Sequence, residues 1–532
     1  MRVEFQPLSA LIGKFLDQLD LAAWVGSPGS RNAPLMEAFS SLEYPQAIIL
    51  DERSAGYFAL GAAMKMNKPV ALVCTSGTAA LNYAPAVAEA FYQKIPLLII
   101  TADRPKEFID NGHGQSIRQE KIYEGHIRAS ALLNPEISLE KNADLLATAL
   151  IHLEDGPVHV NVPIKEPLYG VPHVANFSIK LKEKVVRNIA IADSSFPVWL
   201  LKAKYPLLIV GQWNPEWGSI KTIIKNLSEK GWLIAGEHLS QLTNGMAVNL
   251  DEVWNSQGDS SIDAVVSVGG AWISKESKKR LLDTPHLHIA PSGPFPNMFG
   301  NLRSIIESSP VKGLEFLLKK ADKVDDNWLS SFRQCSASKP QVWSDLWVHY
   351  TISRYRFHDH DIHWANSTSV RYGIHTWAHG GWENNARHYS NRGTSGIDGC
   401  TSTSIGSAWL SGKRTILITG ELAFFYDSNA FLNNHIPVDF KVIVMNNGGG
   451  DIFRRLPGAI KSGLFESHFN WKHKRSVKDL VSYAGLEYFC ASSIEEWKVL
   501  WPKFIGFSKP SVFEIITDSV INDEVWNDRF EF

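Results

Sequence analysis

A carboxylate and an amide follow two predicted strands in the last third of the chain, and both are candidate metal ligands. Glu421 follows the apolar run 416–418, and Asn447 follows the apolar run 442–445 twenty-six positions later. That spacing fits one helix crossing between adjacent parallel strands, so both side chains would lie at the carboxyl edge of one sheet, where ligands bind. Such oxygen ligands suit a Mg²⁺ ion that also binds phosphate, and the glycines at 448–450 would let the backbone approach a bulky anion.

This arrangement resembles the metal–diphosphate motif of thiamine-diphosphate enzymes, in which Gly-Asp is followed by Asn after one crossover. Two residues depart from the motif. Glu421 is one methylene longer than aspartate, so either the strand end retreats or metal affinity drops, because Mg²⁺ demands near-octahedral geometry. Asp451 adds a carboxylate beside the glycines, and it should weaken cofactor binding unless a cation or N–H groups neutralise it. We expect either mutual compensation between the two or a weakened, non-catalytic protein.

Length and composition indicate a multidomain globular protein. The chain has 532 residues, 44% hydrophobic and 20% charged, which is too long for one core and suggests three domains. With 53 basic and 55 acidic residues the net charge is −2, which favours neither nucleic acid nor an anionic membrane. The 4 cysteines show no CxxC spacing, which suits a reducing compartment. No apolar stretch approaches the roughly 18 residues of a membrane span, so we expect a cytoplasmic protein without membrane insertion.

Buried apolar runs alternate with amphipathic segments, the pattern of α/β domains with doubly wound parallel sheets. Charged stretches near 180–187 and 319–339 predict linkers, so we expect three consecutive domains at 1–180, 188–325 and 340–532. A helix is predicted from Gln341. The predicted strands are 46–50, 70–74, 96–101, 158–162, 207–211, 232–236, 264–269, 287–290, 362–365, 415–419, 441–445 and 511–517.

Two loops after strands in the first domain could bind or activate a ligand. The segment GSPGSRN, with Ser30 and Arg31, follows the apolar run 21–25. Such a junction directs N–H groups and a helix dipole at an anion, although a plain Gly/Pro turn explains it equally well. Glu52 precedes a helical run, where acidic residues also simply complement the helix dipole. If Glu52 is buried, desolvation would raise its pKa and suit it to proton transfer.

Four arginines at predicted strand ends or loops suggest a substrate with several carboxylates, because the guanidinium fork matches a carboxylate. Unrelated surface arginines are the alternative explanation for any one of them. The four are Arg31, Arg104, Arg371 and Arg392.

Eight segments together resemble the 2-succinyl-5-enolpyruvyl-6-hydroxy-3-cyclohexene-1-carboxylate synthase family, the thiamine-diphosphate enzymes of menaquinone biosynthesis. They span both outer domains in the family's order, whereas the middle domain is matched only weakly. The segments are GSPGSRNAPL (26–35), DERSAGYFALG (51–61), TSGTAALN (75–82), TADRP (101–105), QSIRQ (115–119), NSTSVR (366–371), NRGTSGIDG (391–399) and NNGGGDIF (446–453).

The resemblance implies a thiamine diphosphate cofactor and Mg²⁺, with Mn²⁺ as an alternative. Glu52 would activate the aminopyrimidine ring, and Ile397 would hold the cofactor in its bent conformation. The side chains of Glu421 and Asn447 and the carbonyl of Gly449 would bind the metal. The other implied cofactor contacts are Ser367, Gly420, Leu422, Ala423 and Ile452.

The resemblance also implies a transferase reaction, in which 2-oxoglutarate is decarboxylated and its succinyl carbanion equivalent adds to isochorismate. Arg31, Gln115 and Arg392 would share the catalytic work with Glu52. The residues similar to the family's substrate contacts are Ser30, Arg31, Arg104, Gln115, Asn366, Ser367, Arg371 and Arg392, with Phe453 and Leu456 as an apolar wall and Lys279 and Arg280 in the middle domain. The alternative is another thiamine-diphosphate 2-oxoacid decarboxylase or carboligase, but those relatives lack SPGSRN and the arginine set.

In this family the pyrimidine-binding and diphosphate-binding domains meet across a subunit interface. The resemblance therefore implies that Glu52 of one chain serves the cofactor held by another chain. We expect a homodimer or a homotetramer.

Overall fold

The protein is described here by a computed structural model, which covers residues 4–174, 177–182, 196–214, 218–242, 245–257, 262–332, 339–377, 386–455 and 457–530. These residues form three parallel sheets of six, five and six strands, which confirms the predicted α/β class. No helix in these ranges is long and apolar enough to cross a membrane. Residues 183–195 and 333–338 lie outside the description, so the exact domain bounds stay predictions.

The first sheet has the strand order β2-β1-β3-β4-β6-β5. Its central strands are buried along their whole length, as continuous apolar runs predict. The strands are β1 (Ala23–Gly26), β2 (Gln46–Ile48), β3 (Val70–Cys74), β4 (Leu97–Asp103), β5 (Ala129–Leu132) and β6 (Val158–Pro163). The helices are α1 (Pro7–Gln18), α2 (Ala33–Ser40), α3 (Glu52–Met66), α4 (Thr78–Asn82), α5 (Ala84–Gln93) and α6 (Leu139–Leu150).

The second sheet has five strands in the order β11-β10-β9-β7-β8. The strands are β7 (Pro206–Val210), β8 (Leu233–Gly236), β9 (Ala264–Val268), β10 (His286–Ala290) and β11 (Leu302–Glu307). The helices are α7 (Val198–Leu201), α8 (Lys221–Glu229), α9 (Leu250–Gln257), α10 (Lys275–Arg280) and α11 (Pro310–Lys320).

The third sheet, ordered β13-β12-β14-β15-β17-β16, repeats the strand order of the first. Its first helix begins at Asp345 rather than at the predicted Gln341, because the Ser344 hydroxyl caps it by accepting from the Trp347 N–H. The strands are β12 (His360–Trp364), β13 (Arg387–Tyr389), β14 (Arg414–Gly420), β15 (Phe440–Asn446), β16 (Glu487–Ala491) and β17 (Ser511–Ile516). The helices are α12 (Asp345–Ser353), α13 (Thr368–Trp377), α14 (Cys400–Ser411), α15 (Glu421–Tyr426), α16 (Pro457–Lys461), α17 (Lys478–Tyr483), α18 (Ile494–Gly506) and α19 (Ser519–Phe530).

Helices α3 and α14 join the first and third sheets through a very close crossing. A Cβ atom added to Gly61 would lie 1.9 Å from the carbonyl oxygen of Thr403, and one added to Gly406 would lie 2.0 Å from that of Phe58. Only glycine permits two backbones to approach this closely. The crossing therefore fixes the two outer domains against each other.

Candidate active site

The carboxyl edge of the third sheet brings together the two predicted metal ligands. Strands β14 and β15 are neighbours, with Gly420 paired to Met445. Glu421 begins α15 directly after β14, and Asn447 directly follows β15. The spacing argument therefore placed both residues at one edge correctly.

The buried oxygen atoms at this edge lack partners. Glu421 Oε1, Asn447 Oδ1 and Asp451 Oδ2 have no hydrogen-bond partner, although an unpaired buried polar atom costs about 1–3 kcal/mol. A divalent cation would satisfy these oxygens. Within the described residues no three His, Cys, Asp or Glu side chains form a metal cluster, so a metal here would draw on an amide and a carbonyl as well. The donors present fit that requirement.

The glycine loop after Asn447 is packed against a neighbouring segment. A Cβ atom on Gly449 would lie 2.5 Å from Asn470 Oδ1, so a larger residue would displace the loop. The Asn447 amide is oriented from its other end, because its Nδ2 donates to Asp345 Oδ2 at 3.2 Å. Asp345 is itself held by the Thr517 hydroxyl, which donates to its Oδ1 at 2.6 Å. These contacts turn Asn447 Oδ1 away from Asp345, which leaves it available as a ligand.

The positively charged side chain of Arg454 lies next to Asp451. The sequence argument required such a neutralising group beside Asp451 if the cofactor is to bind. Arg454 Nε lies 3.4 Å from Asp451 Oδ1. Burial raises the pKa of Asp451 to about 7, the negative charges of Asp345 and Glu421 add to the rise, and Arg454 opposes it. Burial also raises the pKa of Glu421, and the neighbouring imidazole of His473 opposes that shift. Because these carboxyl groups hold their protons more readily and Arg454 is positively charged, the net negative charge at this edge of the sheet stays modest.

Glu52 occupies the first position of α3, but a different acid performs the capping. The carboxylate of Asp51 accepts the Ser54 N–H at 2.9 Å and also accepts the amide of Asn429 in the third domain. The helix-capping explanation thus applies to Asp51. Glu52 is half-buried, and burial raises its pKa, with Asp51 adding to the rise. This direction suits a group that exchanges a proton near neutral pH.

The first domain brings together two of the predicted arginines. Arg31 is buried and donates to the Ile164 carbonyl at 3.0 Å, and burial together with the charge of Arg104 lowers its pKa. Arg104 Nε is buried without a partner. The carbonyl of Gln115 accepts from Ser76 Oγ at 2.9 Å, and both Gln115 and Ser30 are exposed.

The third domain brings together the other two arginines. Arg392 donates to Asn366 Oδ1 at 2.8 Å, and Arg371 donates to the Ser367 carbonyl. Burial and the charge of Arg392 lower the pKa of Arg371 to about 10, and Arg392 Nε has no partner. Two neighbouring, partly buried guanidinium groups with unused donor capacity fit a ligand with carboxylates.

The loop that carries Arg392 is held by Glu89 of the first domain, a residue that the sequence analysis missed. Glu89 is fully buried. Its Oε1 accepts the Gly393 N–H at 2.7 Å, and its Oε2 accepts both the N–H and the hydroxyl of Thr394 at 2.6 Å. Its sequence context, an acid inside an alanine-rich helix, gave no sign of this role.

The middle domain contributes a further cation next to the predicted pair in sequence. Lys279 is exposed, and Arg280 is engaged by Glu276, with Nε to Oε1 at 2.7 Å. Instead, Lys278 is partly buried, and its pKa is lowered by burial and by the nearby charges of Arg392 and Arg371. The predicted pair, Lys279 and Arg280, stays a prediction, and Lys278 is added to it, because a helix turns successive side chains to different sides.

The remaining predicted residues that the structure describes lie around the same edge. Ile397 packs on the small buried cluster that contains Ala423, and a Cβ atom on Gly420 would meet open space. Phe453 lies 5.9 Å from Phe469, measured between ring centroids, next to Ile452. Leu422 is partly buried. Leu456 lies outside the described residues.

Comparison with known proteins adds three findings. Residues 7–122 match the family described as thiamine pyrophosphate enzyme, N-terminal TPP binding domain. Proteins named 2-succinyl-5-enolpyruvyl-6-hydroxy-3-cyclohexene-1-carboxylate synthase are similar over nearly the whole length. The one from Flavobacterium psychrophilum is 34% identical over 99% of this chain and 98% of its own, and the one from Porphyromonas gingivalis is 34% identical over 96% and 94%.

The fold is similar to that of a solved structure of an enzyme named for a different substrate. The crystal structure of benzoylformate decarboxylase from Polynucleobacter necessarius matches with a TM-score of 0.73, covering 97% of this chain and 99% of that chain. At 15% sequence identity this likeness supports the three-domain architecture alone.

Proposed function

Since the chain belongs to the 2-succinyl-5-enolpyruvyl-6-hydroxy-3-cyclohexene-1-carboxylate synthase family, we propose that it is a cytoplasmic transferase with that activity. It would decarboxylate 2-oxoglutarate and add the succinyl unit to isochorismate. The observation that carries the proposal is the pair of partnerless oxygens, Glu421 Oε1 and Asn447 Oδ1, at one sheet edge. They form a cation site where a thiamine diphosphate tail would bind.

The residues of the chain have distinct tasks in this proposal. Glu421, Asn447 and the Gly449 carbonyl would hold Mg²⁺ or Mn²⁺, and Glu52 would hold or move a proton at the aminopyrimidine ring. Thiamine diphosphate, when bound, supplies the electron sink for decarboxylation. The raised pKa of Glu52 supports a carboxyl group that keeps its proton more readily than an exposed glutamate does.

The arginines would orient the two acids without reacting. Arg31 and Arg104 at the first sheet, and Arg371 and Arg392 at the third, offer guanidinium groups to carboxylates that stay intact. Holding these carboxylates in place means that the entropy cost of orienting the two substrates is met on binding. The activation barrier of the reaction is lowered accordingly. Lys278 adds a third charge near Arg371 and Arg392.

We further propose that the active unit is a homodimer or a homotetramer. In the isolated single chain Glu52 is only half-buried. The apolar side chain of Leu50, two residues earlier, is 67% exposed. A second copy covering this surface would bury both residues. Light scattering of the purified protein should give a mass of at least two chains, and a monomer that retains full activity would refute this part.

The activity is tested by following the absorbance of isochorismate. We expect its decay only when thiamine diphosphate, Mg²⁺ and 2-oxoglutarate are all present, and no decay at saturating cofactor and metal would refute the proposal. Glu52→Gln should retain cofactor binding and lose turnover. If pyruvate is consumed in preference to 2-oxoglutarate, the chain is a different thiamine-diphosphate carboligase. If calorimetry shows no cofactor binding, it is a non-catalytic homologue.

A further inference from the structure

A buried glutamate of the middle domain holds the loop that leads into α10. Glu237 directly follows β8 and is 5% exposed. Its Oε2 accepts the N–H of Ile273 at 2.8 Å, and its Oε1 accepts the N–H of Ser274 at 2.7 Å. Lys278 of α10 reaches back to the same loop, where its Nζ donates to the Trp272 carbonyl at 2.6 Å. The glutamate and the lysine are thus held by one short loop.

The segment 237–241 packs against the helix of the third domain that carries Arg371. A Cβ atom added to Gly373, two residues after this arginine on α13, would lie 2.8 Å from His238 Nε2. Such a close approach leaves no room for a side chain at position 373. The segment is therefore in direct contact with α13.

The same segment also contacts the strand that precedes Arg392. Gln241 Nε2 donates to the His388 carbonyl at 2.6 Å, and Gln241 Oε1 accepts the His388 N–H at 3.1 Å. His388 belongs to β13, which ends three residues before this arginine. The segment that starts with Glu237 thus meets the third domain beside both Arg371 and Arg392.

The charge of Glu237 acts on three cations, which we call the cationic pocket: Arg371, Arg392 and Lys278. Burial lowers the pKa of all three, and the negative charge of Glu237 opposes that shift in each of them. For Arg392 and Lys278 it is the strongest of the neighbouring charges. Burial raises the pKa of Glu237 itself to about 7, so the carboxylate is ionised at pH 8.

We propose that Glu237 determines which anions the cationic pocket accepts, an inference that rests on the proposed function. Both proposed substrates, 2-oxoglutarate and isochorismate, carry two carboxylates. A built-in carboxylate offsets part of the positive charge of the pocket and repels any further negative charge that enters it. Glu237 would thus favour dicarboxylates over tricarboxylates, because an unfavourable contact with the wrong ligand gives specificity.

The test compares two anions that differ by one carboxylate, glutarate and tricarballylate. Calorimetric titration of the full-length protein with thiamine diphosphate and Mg²⁺ at pH 8 gives both dissociation constants without turnover. In Glu237→Gln the ratio of the two constants should shift about tenfold in favour of tricarballylate, because one charge is removed from a partly buried site.

Two further variants separate charge from shape. Glu237→Asp shortens the side chain but keeps its charge, so the ratio of the two constants should stay as in the unaltered protein. Glu229→Gln removes an equal charge from an exposed position of the same domain and should also leave the ratio unchanged.

A purely structural role of Glu237 would give a different result. Loosening of the loop before α10 would weaken both anions alike, so an unchanged ratio in Glu237→Gln would overturn the inference. An absence of glutarate binding to the unaltered protein would overturn it as well. If Glu237→Gln does not fold, Lys278→Met tests the same balance, since the loss of a cation should shift the ratio toward glutarate, and a constant ratio there would count against the inference. A ratio that shifts in a protein that never consumes isochorismate would refute the proposed function while the anion selectivity stands.

Discussion

Replacing Glu89 by glutamine should release the loop that carries Arg392. Glu89→Gln keeps the shape of the side chain, but it turns one of two acceptor oxygens into a donor. Both oxygens are used in the structure: Oε1 accepts the Gly393 N–H and the Gln93 amide, and Oε2 accepts the N–H and hydroxyl of Thr394. The variant therefore places an NH₂ group against at least one buried N–H.

The free-energy cost of Glu89→Gln follows from these contacts. Whichever way the glutamine amide turns, the N–H of either Gly393 or Thr394 is left unsatisfied, which costs about 1–3 kcal/mol. The bonds that remain lose their charge assistance, which roughly halves their strength. We expect a total of about 2–4 kcal/mol, equivalent to a factor of about 30 to 700 in the equilibrium for opening the loop.

Native-state hydrogen exchange measures that factor directly, because the amides of Gly393 and Thr394 exchange when the loop opens. Their exchange should accelerate by the same factor in Glu89→Gln, and the apparent KM for 2-oxoglutarate should rise as Arg392 loses its position. Glu43→Gln, at an exposed position of the same domain, should leave both measurements unchanged. Unaltered exchange at Gly393 and Thr394 would refute the reasoning.

Three other changes have defined outcomes. Glu421→Asp shortens the carboxylate and should tighten Mg²⁺ binding severalfold in calorimetry; unchanged or weaker binding would show a site already adapted to glutamate. Gly406→Ala puts a methyl group 2.0 Å from the carbonyl of Phe58 and should destabilise the protein by about 3 kcal/mol in thermal unfolding. The control Gly506→Ala meets no atom within 4 Å, so a similar loss there would contradict the packing argument. Burial raises the pKa of Asp427 to about 7, so the stability from its protonated form should fall as the pH rises from about 4 to about 7. Asp427→Asn stays neutral and should flatten that decline in urea unfolding, and an unchanged pH profile would refute the assignment.

The sequence predicted the interior strands well and overlooked four edge strands. Val70–Cys74 matches its strand completely, and the strands at Ala264–Val268 and Phe440–Asn446 match within one or two residues. The missed strands are β5, β11, β13 and β16, each at the edge of its sheet. Edge strands such as Leu302–Glu307 alternate exposed and partly buried residues, so they lack the continuous apolar run that marks a strand buried on both faces.

The site was predictable where its residues follow strands, and unpredictable where distant segments supply the partners. Glu421 and Asn447 could be placed together because one helical crossover separates two neighbouring strands. Asp345 and His473 reach the metal edge, and Glu89 reaches the loop of Arg392, from sequence positions with no motif around them, so only the folded chain reveals these contacts. Lys278 was overlooked for a similar reason, because the direction of a helix face depends on packing that the sequence alone does not specify.

The glycine crossing of α3 and α14 determines where this protein can bend. Because the backbones touch at Gly61 and Gly406, the outer domains would have to move as a single rigid block. Any bending would therefore have to occur away from this crossing and leave the contact between α3 and α14 intact.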